Sequence, residues 1–376
     1  MEADRENIDP GVIAERLSLL PGVATLRAAL TGERAYLVGG AVRDLLLGAE
    51  HPDLDVAVEG DAPALARRLG ADPLAHERFA TATVDLDGVR IDLASTRSER
   101  YEQPGTLPVV APASLERDLA RRDFTVNAMA VPLAGEPQLI DPHVGLDDLR
   151  AGVLSVLHPA SFTDDPTRAL RAARYVARLG FEIEPATFEL LTAADLETVS
   201  RERVVAELRR IAAEDTAPDA FSLLARWGLA GIDVGVGARL EALRGVLAQP
   251  GWADIVEPAE AIYSVGVPDP ELEAGALRLS SVSPDRPSQG VALARGRSPV
   301  ELAAARVAGA RWLDDYVRDW RHVHLEINGA DLMAAGVSEG PAIGRGLAAA
   351  LAAKLDGDVN GRDDELRVAL AAASES

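Results

Sequence analysis

The sequence of 376 residues contains no cysteine. Disulfide staples, Cys-ligated zinc and thiol nucleophiles are therefore excluded. Lysine is nearly absent: of 38 cationic residues only Lys354 is a lysine. Arginine favours planar, bidentate recognition, although a GC-rich genome that also inflates alanine explains the bias equally well. Positive charge is outweighed by 60 acidic residues, giving a net charge of −22. Such a balance argues against broad, non-specific nucleic-acid binding, though only local charge meets a phosphate. No apolar run approaches the roughly 18 residues of a membrane span. The stretch Met1 to Pro10 is acidic and polar, unlike a secretory signal, so the expected location is the cytoplasm. What is present is a hydrophobic content of 48% with 26% charged residues, fitting a soluble globular chain of roughly two to four domains.

The most informative stretch is residues 36 to 58. Tyr36 to Val38 forms an apolar run suited to a buried strand. Gly39 and Gly40 allow a tight turn and a close approach to a ligand. Ala41 to Leu47 is helical in composition, and Gly48 suits the helix end. A second strand follows, and alternation places Asp53, Asp55 and Ala57 on one face. Two carboxylates held so close repel unless a cation lies between them. Oxygen ligands suit Mg²⁺. Backbone N–H groups of a Gly-Gly turn suit phosphate oxygens, and Arg43 adds a charged fork. Together these features suggest nucleotidyl transfer at a metal site. Taken singly, Asp-x-Asp is usually a solvated strand edge and Gly-Gly a plain turn.

The string Leu37-Val-Gly-Gly-x-Val-Arg-Asp-x-Leu-Leu-Gly48, followed by Asp53-x-Asp55, resembles the signature of the transfer RNA nucleotidyltransferase (CCA-adding) and bacterial poly(A) polymerase family. That family is the class II branch of the DNA polymerase beta superfamily. Further segments carry the same resemblance in order. Ser95-Thr-Arg-Ser-Glu-Arg-Tyr101 resembles the family's Thr-x-Arg-x-Glu-x-Tyr. It follows a hairpin around Asp87-Gly88 whose second strand offers Asp92 as a third carboxylate. Arg121-Arg-Asp-Phe-Thr-Val-Asn-Ala128 resembles Arg-Arg-Asp-Phe-Thr-Ile-Asn-Ala. By this resemblance Arg122 contacts the triphosphate and Asp123 the ribose. Asp141-Pro-His-Val-Gly-Leu-Asp-Asp-Leu149 resembles the turn that closes the catalytic domain.

Past residue 160 the strand signals fade. Asp164, Asp165 and Pro166 open a helix. Arg168, Arg171, Arg174 and Arg178 recur three and four residues apart, on one stripe. Outside a family context this is a capped helix with a solvated arginine face. Here it resembles Glu-Asp-x-x-Arg followed by Arg-x-x-Arg-Phe, which implies that Asp165 and Arg168 read the incoming base. Cytosine and adenine each present an exocyclic amine beside a ring acceptor. A carboxylate with an arginine matches both and rejects uracil and guanine, by the donor–acceptor logic of groove readout. Asp164 departs from the family's usual glutamate. Glu202 and Arg203 are expected to support this helix. The loop 101 to 113, with three prolines, is expected to be irregular.

Ile327-Asn-Gly-Ala-Asp-Leu and Gly340-Pro-x-Ile-Gly344 resemble the family's C-terminal segment, whose glycines, Gly346 included, suit backbone contacts to phosphates or plain helix caps. Trp312 and Trp320 suit packing. His322-x-His324 is more consistent with structure than with metal binding.

The resemblance implies an α+β protein. A catalytic head over 1–155, with a small mixed β-sheet, precedes an all-α remainder: a nucleotide-reading neck over 156–235 and an RNA-binding body and tail over 236–376. It implies a Mg²⁺-dependent, template-independent enzyme adding C and A from CTP and ATP to transfer RNA 3′ ends. Asp53 and Asp55 would hold metal with help from Asp92. Gly39, Gly40, Arg43, Arg122, Asp123, Asp165, Arg168, Arg171 and Arg174 would bind nucleotide. A CC-only or A-only enzyme, a poly(A) polymerase and an inactive nucleotide-binding module are the alternatives.

Overall fold

The computed structural model describes residues 8–30, 32–49, 53–69, 80–86 and 88–374, together with the backbone of 74–76. Asp87, the expected hairpin tip, lies outside the described residues. The chain divides into two compact units, Met1–Leu208 and Arg209–Ser376. The first holds both the sheet and the arginine-striped helix.

The strands of the first unit are β1 (Ala35–Val38), β2 (Leu54–Val58), β3 (Leu74–His76), β4 (Thr81–Leu86), β5 (Val89–Ser95), β6 (Arg97–Arg100), β7 (Val109–Pro112), β8 (Ala130–Pro132), β9 (Val153–Leu154) and β10 (Glu182–Ile183). Six of them form one mixed sheet in the order β3-β4-β5-β2-β1-β8. β2 runs antiparallel to β1 and parallel to β5, with Asp55 opposite Asp92. A strand paired on both sides is expected to be apolar along its length. β2 obeys this except at Asp55, its one exposed residue. Leu37, Val56, Ile91 and Leu93 are buried around it.

Short helices flank the sheet. Pro21 and Gly22 separate Ile13–Leu19 from Val23–Ala29, as the sequence suggests. Asp61 caps Ala62–Arg68 by accepting from the Ala64 N–H at 2.9 Å. Two expectations are corrected. Residues 109–112, expected in an irregular loop, form β7 and pair with β6, because an extended Val-Val-Ala-Pro edge can still join a two-stranded ribbon. Strand structure also does not stop at 160, since β10 pairs in parallel with β9. Two-residue strands leave no alternation for a sequence pattern to report.

Among the described residues the second unit has helices and no strands. Its C-terminal part begins with a capping box, in which Asn328 and Asp331 each bond the other's backbone N–H. Gly346 is a packing glycine: a Cβ there would meet the Ala369 carbonyl at 2.6 Å. Trp312 and Trp320 stack with ring centroids 6.5 Å apart. Among the described residues no helix is long and apolar enough to cross a membrane.

Candidate active site

Local sequence builds the site from the turn after β1. Gly39 has φ +67°, a region that favours glycine, and its N–H reaches the Met129 carbonyl at 3.1 Å. A Cβ at this position would lie 2.6 Å from Arg122 Nη1. Gly39 is thus required by backbone conformation and by the arginine that packs against it. The helix Gly40–Leu46 follows directly.

Beside this turn lies a cleft of about 400 Å³ lined by Asp55, Thr81, Thr83, Arg90, Asp92, Asp118, Arg121 and Arg122 among others. Asp55 and Asp92 sit opposite each other on adjacent parallel strands. Thr83 donates to Asp92 Oδ1 at 2.5 Å, and Arg90 approaches the same oxygen at 3.5 Å. Crowding by protein raises the Asp55 carboxyl to about 6. Arg122 offsets part of that, while Asp92, Asp53 and Asp44 add to it. Like charges that cannot separate hold one another's protons. This is therefore a carboxylate centre short of positive charge, with hard oxygen donors, and it fits a divalent cation. Among the described residues no three acidic or histidine side chains gather closely enough to cage an ion. Metal sites that use substrate phosphates and water as further ligands need only one or two carboxylates.

The raised Asp55 value is testable without substrate. Asp92→Asn removes one of the charges that raise it, so in metal-free protein the Asp55 titration should move down from about 6 toward ordinary carboxylates. Carbon-13 NMR of the carboxyl measures this. An unchanged midpoint would show that the two groups do not interact.

The expected Asp53–Asp55 pair takes a different form. The strand ladder begins at Leu54, one residue after Asp53. Asp53 lines an adjoining hollow with Leu20, Gly88 and Arg90. Its charge still reaches Asp55. The pair brought side by side is Asp55 and Asp92.

Asp118 anchors the arginines. It is buried, and its two oxygens accept from Arg121 at 2.8 Å and from Arg122 at 2.9 Å. Burial opposes its charge, but Arg122 and Arg121 outweigh burial and hold the carboxyl below the ordinary range. Sequence reasoning passed over Asp118, although its spacing of three and four residues from two arginines was a visible signal. Arg121 also bonds Glu99 at 2.9 Å. Arg122 Nε is buried with no hydrogen-bond partner.

The other expected nucleotide ligands form a buried network. Arg43 is 2% exposed, bonds Asp44 at 2.8 Å and donates to Asn127 Oδ1 at 2.5 Å. It is not among the residues that line the cleft, and these partners hold it on the inner side. Asn127 donates onward to Asp123 Oδ1 at 3.0 Å. Asp123 also accepts from the Phe124 N–H and, on Oδ2, from Arg171 Nε at 2.8 Å. Burial opposes the Asp123 charge, but Arg171 and Asn127 outweigh it and hold the carboxyl far below the usual range. Both oxygens are engaged here, so a ribose hydroxyl would have to share them. Arg171 further meets Glu207 at 3.7 Å.

Asp165 and Arg168 do not bond to each other through their side chains. Asp165 Oδ1 accepts from the Thr167 N–H and hydroxyl and from Arg203 at 2.8 Å. Arg168 is buried and donates to the Ser161 hydroxyl at 2.7 Å and the Arg121 carbonyl at 2.8 Å. Arg203 supports the helix as expected, and its other nitrogen reaches the Gly105 carbonyl at 2.7 Å. Glu202 does not; it is exposed, and Glu207, one helical turn and a residue later, takes that part. The arginine stripe faces inward at Arg168 and Arg171, and Arg174 lies over the Tyr175 ring.

A Gly-Gly turn feeding a short helix, with strand carboxylates turned toward anchored arginines, is the build of a nucleotidyltransferase head. Residues 35–155 match the poly A polymerase head domain family. The chain is 36% identical over 354 residues to a CC-adding tRNA nucleotidyltransferase of Deinococcus radiodurans, covering 89% of this chain and 88% of that one. It therefore belongs to the tRNA nucleotidyltransferase family. It is also 41% identical over 223 residues to an A-adding tRNA nucleotidyltransferase of Halalkalibacterium halodurans, covering 56% of this chain and 52% of that protein. The chain spans about half the length, or less, of the A-adding relatives it matches. In structure it resembles the Thermotoga maritima CCA-adding enzyme complexed with tRNA, with TM-score 0.76 and 28% identity over 96% of this chain and 97% of that one.

Proposed function

We propose that this chain is a template-independent nucleotidyltransferase that adds C and A, from CTP and ATP, to the 3′ end of transfer RNA in the cytoplasm. The observation that carries this reading is the Asp55–Asp92 pair on adjacent strands, facing Arg122 in one cleft. In this reading residues 1–155 are the catalytic head, 156–235 the neck and 236–376 the RNA-binding body and tail.

Asp55 and Asp92, with Asp53 beside them, would hold Mg²⁺, which suits an all-oxygen donor set. When bound, the ion supplies Lewis acidity at the RNA 3′-hydroxyl and neutralises charge on the leaving pyrophosphate. Arg122, with its buried and unpartnered Nε, holds the triphosphate beside the Gly39-Gly40 turn. The 3′-oxygen bonds to the α-phosphorus as the bond to the β-phosphate oxygen breaks. All three hydrogen bonds to Asp165 fall on Oδ1, which leaves Oδ2 to accept from the exocyclic amine of C or A. Arg168 completes the base reader, with Arg171 and Arg174 behind it. A site built to accept an amine rejects a carbonyl strongly, because its polar groups go unpaired.

A second reading is a CC-only enzyme, favoured by the match to a CC-adding relative along nearly the whole of both chains. Incubation with transfer RNA lacking its 3′ end and each labelled nucleoside triphosphate in turn distinguishes the two. C followed by A incorporation is expected. C alone supports the second reading, and no incorporation from any nucleotide overturns both.

A further inference from the structure

Tyr175 lies on the helix Thr167–Leu179, the helix that also carries Arg168, Arg171 and Arg174. Three guanidinium groups gather around its ring. Arg43 lies 5.2 Å from the centroid, Arg171 5.8 Å and Arg174 4.9 Å. Phe124 meets the same ring edge-on at 5.8 Å. The arginines come from separate elements: Arg43 from the helix after the turn, Arg171 and Arg174 from the reading helix.

Bringing cations this close costs Coulomb energy. Asp44 beside Arg43, and Asp123 with Glu207 beside Arg171, compensate part of it. The electron-rich ring face compensates more, and its contribution grows where water is excluded. Arg43 and Arg171 are also joined through Asn127 and Asp123. The ring closes that chain into a loop, so the turn and the reading helix are held in one register.

Resting on the function proposed above, we infer that Tyr175 is a positioning residue for nucleotide selection: its π face fixes Arg43, Arg171 and Arg174 so that an incoming cytosine or adenine nucleotide meets a preformed reader. The ring touches no reacting atom. Its effect should fall on nucleotide binding rather than on the chemical step.

The test uses the full chain with truncated transfer RNA, comparing wild type, Tyr175→Phe and Tyr175→Leu. Tyr175→Leu should raise KM for CTP about tenfold, with kcat changed less than about threefold and KM for transfer RNA unmoved. Tyr175→Phe retains the π face and should stay within about twofold of wild type. Should Tyr175→Leu fail to fold, Tyr175→Met fills the volume without a π face and is expected to give the same split. An unchanged nucleotide KM, equal losses in Phe and Leu, or a kcat loss that follows a lowered melting temperature would each overturn the inference. Wild-type turnover tests the proposed function separately. If wild type is inactive, CTP binding by calorimetry decides on Tyr175 through the same variant comparison.

Discussion

Asp55→Ala should bind CTP with near-wild-type affinity and lose at least about a thousandfold in kcat. Several kcal/mol of charge stabilisation in the transition state depend on the ion this carboxylate helps to hold, and each factor of ten in rate is worth about 1.4 kcal/mol. Binding should survive because Arg121 and Arg122 keep their anchor on Asp118, which the substitution does not touch. Removing a crowded carboxylate also relieves repulsion from Asp92 and Asp53, so folding stability should hold or improve. Rapid-quench turnover with truncated transfer RNA, beside calorimetric CTP binding, measures both halves. Near-normal turnover would remove the mechanism. Asp53→Ala adds a sharper comparison, since Asp53 lies off the strand ladder in the adjoining hollow. A loss as deep as that of Asp55→Ala would place Asp53 on the ion, whereas a mild loss would leave the work to Asp55 and Asp92.

Asp123→Ala should destabilise the protein by roughly 3 kcal/mol, the scale for removing one partner of a buried ion pair. The variant leaves the 3.7 Å contact to Glu207 as the remaining ion pair of Arg171 and takes an acceptor from Asn127. Urea midpoints for wild type and variant give the difference. Its pH dependence has a definite sign. The folded-state Asp123 carboxyl lies below its unfolded value of about 3.9. The unfolded chain therefore binds the proton more readily, and the stabilisation is complete above about pH 4 and lost on acidification through the lower folded value. The gap between wild type and Asp123→Ala should be flat from pH 7 to 5 and narrow below about pH 4. A gap that widens on acidification would mean that the carboxyl is not held ionised by Arg171.

The string Arg121-Arg122-Asp123-Phe124 divides by role. Arg122 belongs to the cleft, whereas Asp123 belongs to the layer behind it. Adjacent residues at the end of a short helix point in different directions, so one motif can supply both a ligand and the brace for the next element.

The chain's own residues determined most of the outline. The apolar run before Gly39, the turn, the hairpin of β4 and β5 and the capped helices were legible because each depends on local geometry: alternation, positive φ and capping side chains. Motif order was likewise enough to indicate the family, and with it the α+β head and helical remainder. Tertiary structure alone decided how the charged side chains were shared. Spacing along a strand suggested Asp53 with Asp55 and offered Asp92 as a third carboxylate, and parallel pairing across the sheet set Asp92 directly beside Asp55. Motif position suggested Arg43 for the phosphates; that Asp44, Asn127 and Tyr175 surround it only the fold shows. An arginine stripe looks solvated in one dimension, yet its partners Asp123 and Glu207 arrive from 48 and 36 residues away. Periodicity records which face of an element a residue occupies. It carries no information about what the rest of the chain brings to that face, and a buried charge is governed by that alone.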